Sequence, residues 1–302
     1  MTSLWSDHTI DAGCFFNAQA ALLSLSTDSL TQEGVAHSRI VLYSVMNGAV
    51  REVAVCPWRA ASMAVALQGE VKRGLALGED GELLEISQSG TRDLSLARHA
   101  GGPTPRGPLR KVKSLAGHAV VVGMNRQVYA VGPDGKWQDM SPPAEAGLLG
   151  GFESLAGPSL DDFVCVGWRG EIWRCRQGDW TKLDSPTPLL ITNITLLPDG
   201  SYMACGLDGL LLVGRGDQWR ACDQTPVDQN LYGIAAHAGG VYATSVDSLY
   251  EVREERLCKV SDASIQDAQT VHSLQSIDAN TLGVVGAKVL SLRIDDSWTH
   301  CN

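Results

Sequence analysis

The sequence predicts an all-β fold, a seven-bladed β-propeller of four-stranded antiparallel blades that occupies residues 1–302 as a single domain. Three observations carry this. First, a short apolar run ending in a small residue, a polar turn and a second short apolar run recur along the chain. The small residue falls at Gly78, Gly123, Gly167, Gly206, Ser245 and Gly286, at successive spacings of 45, 44, 39, 39 and 41. A period of about 40 with two strands around a tight turn is the pattern of a propeller blade. Second, the later repeats close with an Asp- or Gly-bearing turn and a tryptophan, at Trp137, Trp180, Trp219 and Trp298. Third, helical periodicity is weak, and the 32 glycines fall between short apolar runs, as they do where many strands are joined by tight turns.

The elements follow in order. An apolar stretch such as 189–200 or 231–240 supplies an inner strand, and the run ending in Gly or Ser supplies the second. The run after the turn supplies the third, and the tryptophan opens the outer strand, where its ring can pack between blades. The blades read as 10–56, 57–98, 107–141, 148–184, 188–224, 229–260 and 270–302. In the first, residues 39–55 supply the outer two strands while residues 26–37 interrupt the pattern, so six blades with an N-terminal elaboration stay open as an alternative. Residues 99–109, rich in Pro and Gly, read as a long inter-blade loop. Blades cannot bury their faces alone, so no second domain is expected.

Composition excludes several function classes. The formal net charge is −10, which disfavours nucleic acid and anionic lipid surfaces and suits a basic partner. The N-terminal segment has no basic region and carries Asp7 and Asp11 where a signal peptide needs an apolar core. No apolar run approaches the ~18 residues of a membrane span, and a cytoplasmic location is expected. Eight cysteines stand singly with no C-x-x-C pair, and most lie in apolar strand contexts, where thiols behave as small hydrophobes. The seven histidines show no ligand spacing, no carboxylate run matches a calcium loop, and nucleophile and nucleotide-binding motifs are missing. Neither catalytic residues nor a metal or cofactor is expected.

The apolar-Gly turn, the Asp/Gly corner and the Trp opening the last strand resemble the neuraminidase-like propeller repeats and the related photosystem II assembly factor propellers. The Asp-box of those families has its nearest counterparts at Asp134-Gly135-Lys136-Trp137, Gly178-Asp179-Trp180 and Asp217-Gln218-Trp219, which lack the leading Ser and the Thr. The resemblance implies the architecture and transfers no catalytic residue. The Gly-His and Trp-Asp pair of WD40 repeats is also missing, although the blade pattern is WD40-like.

The turn between second and third strands opens on the face where propellers usually bind. It presents Glu79 and Asp80, then Met124, Asn125 and Arg126, then Trp168 and Arg169, Leu207 and Asp208, Val246 and Asp247, and Lys288. Exposed Trp and Arg most often anchor protein interfaces. The partner-binding residues are therefore expected to be Trp168, Arg169, Arg126, Asn125, Asp208 and Asp247. The expected function is a non-enzymatic protein-binding propeller, in one version an immunity protein whose acidic face occludes a basic toxin or effector domain. A complex-assembly factor is a second version. A carbohydrate-binding or glycoside-hydrolysing propeller using Trp168, Asp208 and Asp247 is the alternative from another class.

Overall fold

The computed structural model describes residues 6–68, 71–96, 103, 105–132, 134–143, 150–222, 227–260, 271–295 and 297–301. Seven four-stranded antiparallel sheets form a ring. Blade one holds β1 (His8–Asn17), β2 (Ala20–Thr27), β3 (Ser38–Ser44) and β4 (Val50–Cys56), and blade two holds β5 (Ala60–Gln68), β6 (Val71–Gly78), β7 (Leu83–Ser87) and β8 (Gly90–Asp93). Blade three is β9 (Leu109–Leu115), β10 (His118–Gly123), β11 (Gln127–Val131) and β12 (Trp137–Asp139). Blade four is β13 (Phe152–Ser159), β14 (Asp162–Gly167), β15 (Ile172–Arg176) and β16 (Asp179–Leu183). Blade five is β17 (Ile191–Leu196), β18 (Tyr202–Gly206), β19 (Leu211–Arg215) and β20 (Gln218–Ala221). Blade six is β21 (Gly233–His237), β22 (Gly240–Thr244), β23 (Leu249–Arg253) and β24 (Arg256–Lys259). Blade seven is β25 (Val271–Ser276), β26 (Thr281–Gly286), β27 (Val289–Ile294) and β28 (Ser297–His300).

Blade one is complete, so the six-blade alternative is excluded. The interruption after β2 is a one-turn helix, α1 (Asp28–Gln32), inserted between its second and third strands. Residues 99–102 and 104 of the long loop expected at 99–109 lie outside the described residues.

Among the described residues the buried apolar side chains form seven clusters, and each draws on two neighbouring blades. The second strands explain how. Val120 and Val122 of β10 face blade four while Ala119 and Val121 face blade two. Phe163 and Cys165 of β14 face blade three while Val164 and Val166 face blade five. Alternating residues thus enter opposite interfaces, and a strand covered on both faces reads as an unbroken apolar run. The tryptophans opening β12 and β16 pack into the interface with the preceding blade and donate their indole N–H to it. Trp137 bonds the Leu94 carbonyl at 2.6 Å and Trp180 the Met140 carbonyl at 2.7 Å.

The ring closes between blades seven and one without a shared strand, because each sheet is built from four consecutive strands. Phe15, Leu23, Val41 and Tyr43 pack against Val285, Leu290, Leu292 and Cys301. The Gln275 side chain accepts from the Phe15 N–H at 2.8 Å and donates to the Phe15 carbonyl at 3.0 Å. A Cβ on Gly283 would stand 2.4 Å from the Phe15 ring, so this seam needs glycine there. The Ile10 N–H donates to the Ala287 carbonyl at 2.8 Å. The same bond, from the start of an inner strand to the preceding blade's turn, joins Leu109 to Glu79 and Val271 to Val246, each at 2.8 Å.

Candidate functional site

The turns between second and third strands are built alike in blades three, four and five. Gly167 bonds Glu171 across its turn, and Arg169 and Gly170 lie in the left-handed region at φ 55° and 69°. In blade five Gly206 bonds Leu210, with Asp208 at 55° and Gly209 at 68°. Gly167 and Gly206 are required for a different reason from the turn glycines. Each pairs with the first residue of its inner strand just before a β-bulge. There a Cβ would lie 2.0 Å from the Gly151 oxygen or 2.3 Å from the Leu190 oxygen.

Blade three corrects one expected site residue. Gly123 pairs directly with Gln127, so the turn has the same length, Asn125 (φ 52°) matches Arg169, and Arg126 (φ 55°) takes the place of Gly170. That place faces inward, since a Cβ on Gly170 would meet the Thr187 oxygen at 1.8 Å. Arg126 is accordingly 4% exposed rather than displayed on the face. Its Nε donates to Glu171 Oε2 at 2.7 Å, its Nη2 donates to Oε1, and its guanidinium lies 5.6 Å from the centre of the Trp173 ring. Arg126 is an inter-blade tie between blades three and four.

The other expected residues reach the surface. Trp168 is 40% exposed, and its indole N–H donates to Glu153 Oε1 at 2.6 Å. Glu153 also accepts from Arg110 Nε at 3.1 Å, and Arg110 stands 3.6 Å from Glu79. The result is a chain Glu79–Arg110–Glu153–Trp168 across blades two, three and four. Asn125 donates to the Arg106 carbonyl at 2.6 Å, and the Asp208 N–H is bonded by Asn230 at 3.1 Å. Asp247 accepts from the Ser248 and Ser245 hydroxyls, and these bonds hold its carboxyl below the usual range. Lys288 is tied to Asp28 of α1 and the His8 carbonyl, both at 2.7 Å.

Arg110 and Glu153 escape a reading of the turns because they belong to the inner strands. Each is the extra residue of a β-bulge at the strand's start, and bulges re-aim a side chain. Asp11, Thr192 and His272 stand at the same point of blades one, five and seven. Three of these bulged side chains reach the next blade: Arg110 bonds Glu153, the Thr192 hydroxyl the Leu231 carbonyl, and His272 the Ile10 carbonyl. The signal was present as a recurring apolar–X–polar or small triplet: Ile10-Asp11-Ala12, Leu109-Arg110-Lys111, Phe152-Glu153-Ser154, Ile191-Thr192-Asn193 and Val271-His272-Ser273.

Two hollows open near the turns. One of about 490 Å³ is lined by Asp11, Trp58, Arg59, Glu79, Asp80 and Glu82, and burial raises the Asp11 carboxyl although Arg59 pairs with it. The other, of about 380 Å³, lies against Arg169, Glu171, Lys182 and Asp184. Neither Asp208 nor Asp247 lines the hollow that holds Glu79, so these carboxylates do not share one pocket there. No group of three or more His, Cys, Asp or Glu among the described residues is placed to hold a metal ion. All eight cysteines are unpaired, and seven are buried. Burial pushes the thiols of Cys14 and Cys205 up to about 12 and those of Cys56, Cys222 and Cys301 up to about 11, so they are not nucleophiles at neutral pH. No helix among the described residues is long and apolar enough to cross a membrane.

No established protein-family profile matches the chain. It is 29% identical over 286 residues, 93% of this chain and 92% of the relative, to Immune protein Tsi7 of Pseudomonas aeruginosa. Among solved structures it resembles the WD40 β-propeller domain of Doa1, with a TM-score of 0.72 at 12% identity, covering 97% of this chain and 93% of that one. It also resembles YCF48 bound to D1 peptide, with a TM-score of 0.65 at 16% identity over 95% and 92% of the two chains. PorZ of Porphyromonas gingivalis gives 0.64 at 12% identity, and there the match covers 99% of this chain and 38% of the other. These structural likenesses establish the fold.

Proposed function

We propose that this chain is an immunity protein that neutralises a cognate toxin by binding it, without catalysis. The observation that carries the reading is the likeness, over nearly the whole length of both chains, to an immune protein. The docking surface is the face that bears the inter-strand turns. Trp168 and Arg169 are its anchor, flanked by Asn125 and Asp208, with Asp247 further round the ring. Trp168 suits this role because its indole is fixed by Glu153 while two-fifths of the residue stays open to a partner. Such a ring loses little freedom on binding and offers a large apolar surface. The acidic hollow at Asp11, Glu79, Asp80 and Glu82 favours a partner that presents Lys or Arg to it.

Capture from the native cell tests the reading. One stoichiometric protein, toxic when expressed alone and harmless beside this chain, is the expected result. Retention of glycans with no protein would overturn it. The site is tested separately with Trp168→Ala and Arg169→Asn. The exposed 40% of a Trp surface of about 250 Å² is ~100 Å², or ~2.5 kcal/mol when buried by a partner. Trp168→Ala therefore weakens binding by roughly 60-fold. It also loses the half-buried part of the ring, so its melting temperature falls. Asn tolerates the left-handed backbone, as Asn125 does at the matching position, so Arg169→Asn lowers affinity at unchanged stability. Wild-type affinity in both variants would move the docking surface elsewhere.

A further inference from the structure

Lys111 and Lys113 lie two residues apart on β9, on the same side of the innermost strand of blade three. With Ser114, Asn193, Ser273 and Gln275 they line a cavity of about 250 Å³ in the central channel. Lys113 Nζ reaches across to blade five, donating to Asn193 Oδ1 at 3.1 Å and the Ile194 carbonyl at 2.8 Å. Asn193 in turn accepts from Ser154 at 2.8 Å and donates to the Tyr232 carbonyl at 3.1 Å. Lys111 has no hydrogen-bond or ion-pair partner among the described residues. Glu153 is the carboxylate whose charge reaches Lys111, but its Oε1 is engaged by Arg110 and Trp168.

The remaining groups around the pair carry no compensating charge. His272 of β25 faces Lys111, is bound through Nε2 to the Ile10 carbonyl, and is pushed down to about 4 chiefly by burial. The Cys205 and Cys165 thiols on β18 and β14 are held protonated by burial. Burial lowers both lysines as well, and the repulsion of Lys111 helps bring Lys113 to about 7. A chain with net charge −10 therefore places two half-buried lysine amines in a lumen lined otherwise by neutral side chains, Met63, Val65 and Leu274 among them. An enclosed charge is costly unless it is paired.

We propose that the channel is an anion site, in which Lys111 and Lys113 hold one small oxyanion, a phosphate or carboxylate group. The anion offsets the repulsion between the two ammonium groups and favours the charged form of Lys113, so binding near neutral pH takes up protons. The inference is independent of toxin binding, because the site lies inside the ring.

Titration calorimetry of the full chain tests it, with inorganic phosphate and acetate as separate probes in two buffers of different ionisation enthalpy. One of the two anions binds at millimolar concentration with proton uptake, and the two arms tell which. Lys111→Met lowers the affinity about tenfold or more, as expected when one charge-assisted contact is lost, while Lys136→Met at the surface leaves it unchanged. Lysine side-chain NMR of the wild-type protein gives the same answer should a channel variant fail to fold, since the Lys111 and Lys113 resonances shift with the anion. Binding of neither anion, or equal loss in Lys111→Met and Lys136→Met, overturns the proposal.

Discussion

Removing Glu171 while keeping Arg126 is the sharpest test of the inter-blade tie. The two side chains are 5% and 8% exposed, so Glu171→Leu takes from an enclosed guanidinium the carboxylate to which its Nε and Nη2 donate, while the Trp173 ring remains beside it. Breaking a buried pair from one side costs about 3–5 kcal/mol, whereas replacing both partners by apolar groups of similar volume is close to neutral. Glu171→Leu and Arg126→Met are therefore each expected to lose ~3–5 kcal/mol. The double variant recovers most of that loss, because methionine can fill the space above Trp173. At roughly 2–4 °C per kcal/mol for a chain above 150 residues, the single variants melt on the order of 10 °C lower. Melting followed by circular dichroism and by tryptophan fluorescence reads all four proteins. The cost worked out here would be refuted by single variants within about 1 kcal/mol of wild type, which would mean that water reaches the pair. A double variant as unstable as the two losses summed would show that the two side chains act independently, and that neither loss comes from breaking the pair.

Three further outcomes follow from the same structure. Gln275→Leu at the seam strands the Phe15 N–H and carbonyl, and costs roughly 1–3 kcal/mol in urea unfolding, while an unchanged midpoint would mean that channel water replaces the amide. His272 bears on acid stability: its folded value of about 4 lies below an unfolded value near 6.5. The unfolded chain thus binds the extra proton, and stability declines as pH falls from about 6.5 to 4, by on the order of 2–3 kcal/mol. His272→Gln flattens that decline in pH-dependent melting, and an equally steep profile in the variant would exclude this histidine. Finally, a thiol reagent at neutral pH modifies Cys258 in the native protein and all eight cysteines in guanidinium, because the other seven are buried. Rapid native modification of a second thiol would contradict the burial described.

The fold was legible because its repeat is written in residues with no substitute. A side chain at Gly167 or Gly206 would collide with the backbone of its own inner strand, and a glycine stands opposite the bulge in five blades, at Gly78, Gly123, Gly167, Gly206 and Gly286, while blade one has Leu25 there. The second strands announced themselves as apolar runs because they feed two interfaces at once. Blade one was harder to read, since α1 breaks the spacing at the point where other blades turn in a few residues. Where the candidate residues sit was legible in part. Counting turn residues placed Trp168, Arg169, Asn125, Asp208 and Asp247 on one face, but counting does not say which turn residue points inward. Arg126 shows the limit: an arginine fills a place that two other blades give to glycine, and its charge is spent on Glu171 inside the wall. Arg110 and Glu153 were hidden for a related reason, because a bulge shifts the alternation of a strand by one, so counting does not give the direction of the extra residue.

The seam between blades seven and one bears on how the ring is assembled. In a ring locked by a strand borrowed from the other terminus, one sheet stays unfinished until the two ends of the chain meet. Here every sheet is completed by strands adjacent in sequence, so the pairing search is local throughout and loop closure across the whole chain is required of packing alone. Strand pairing within a blade needs no distant segment, while burial of its faces waits for its neighbours, and the seam buries the first blade against the last. A circularly permuted chain, opened at another blade boundary and joined across the present ends, would keep every pairing local, with a different pair of blades at the seam.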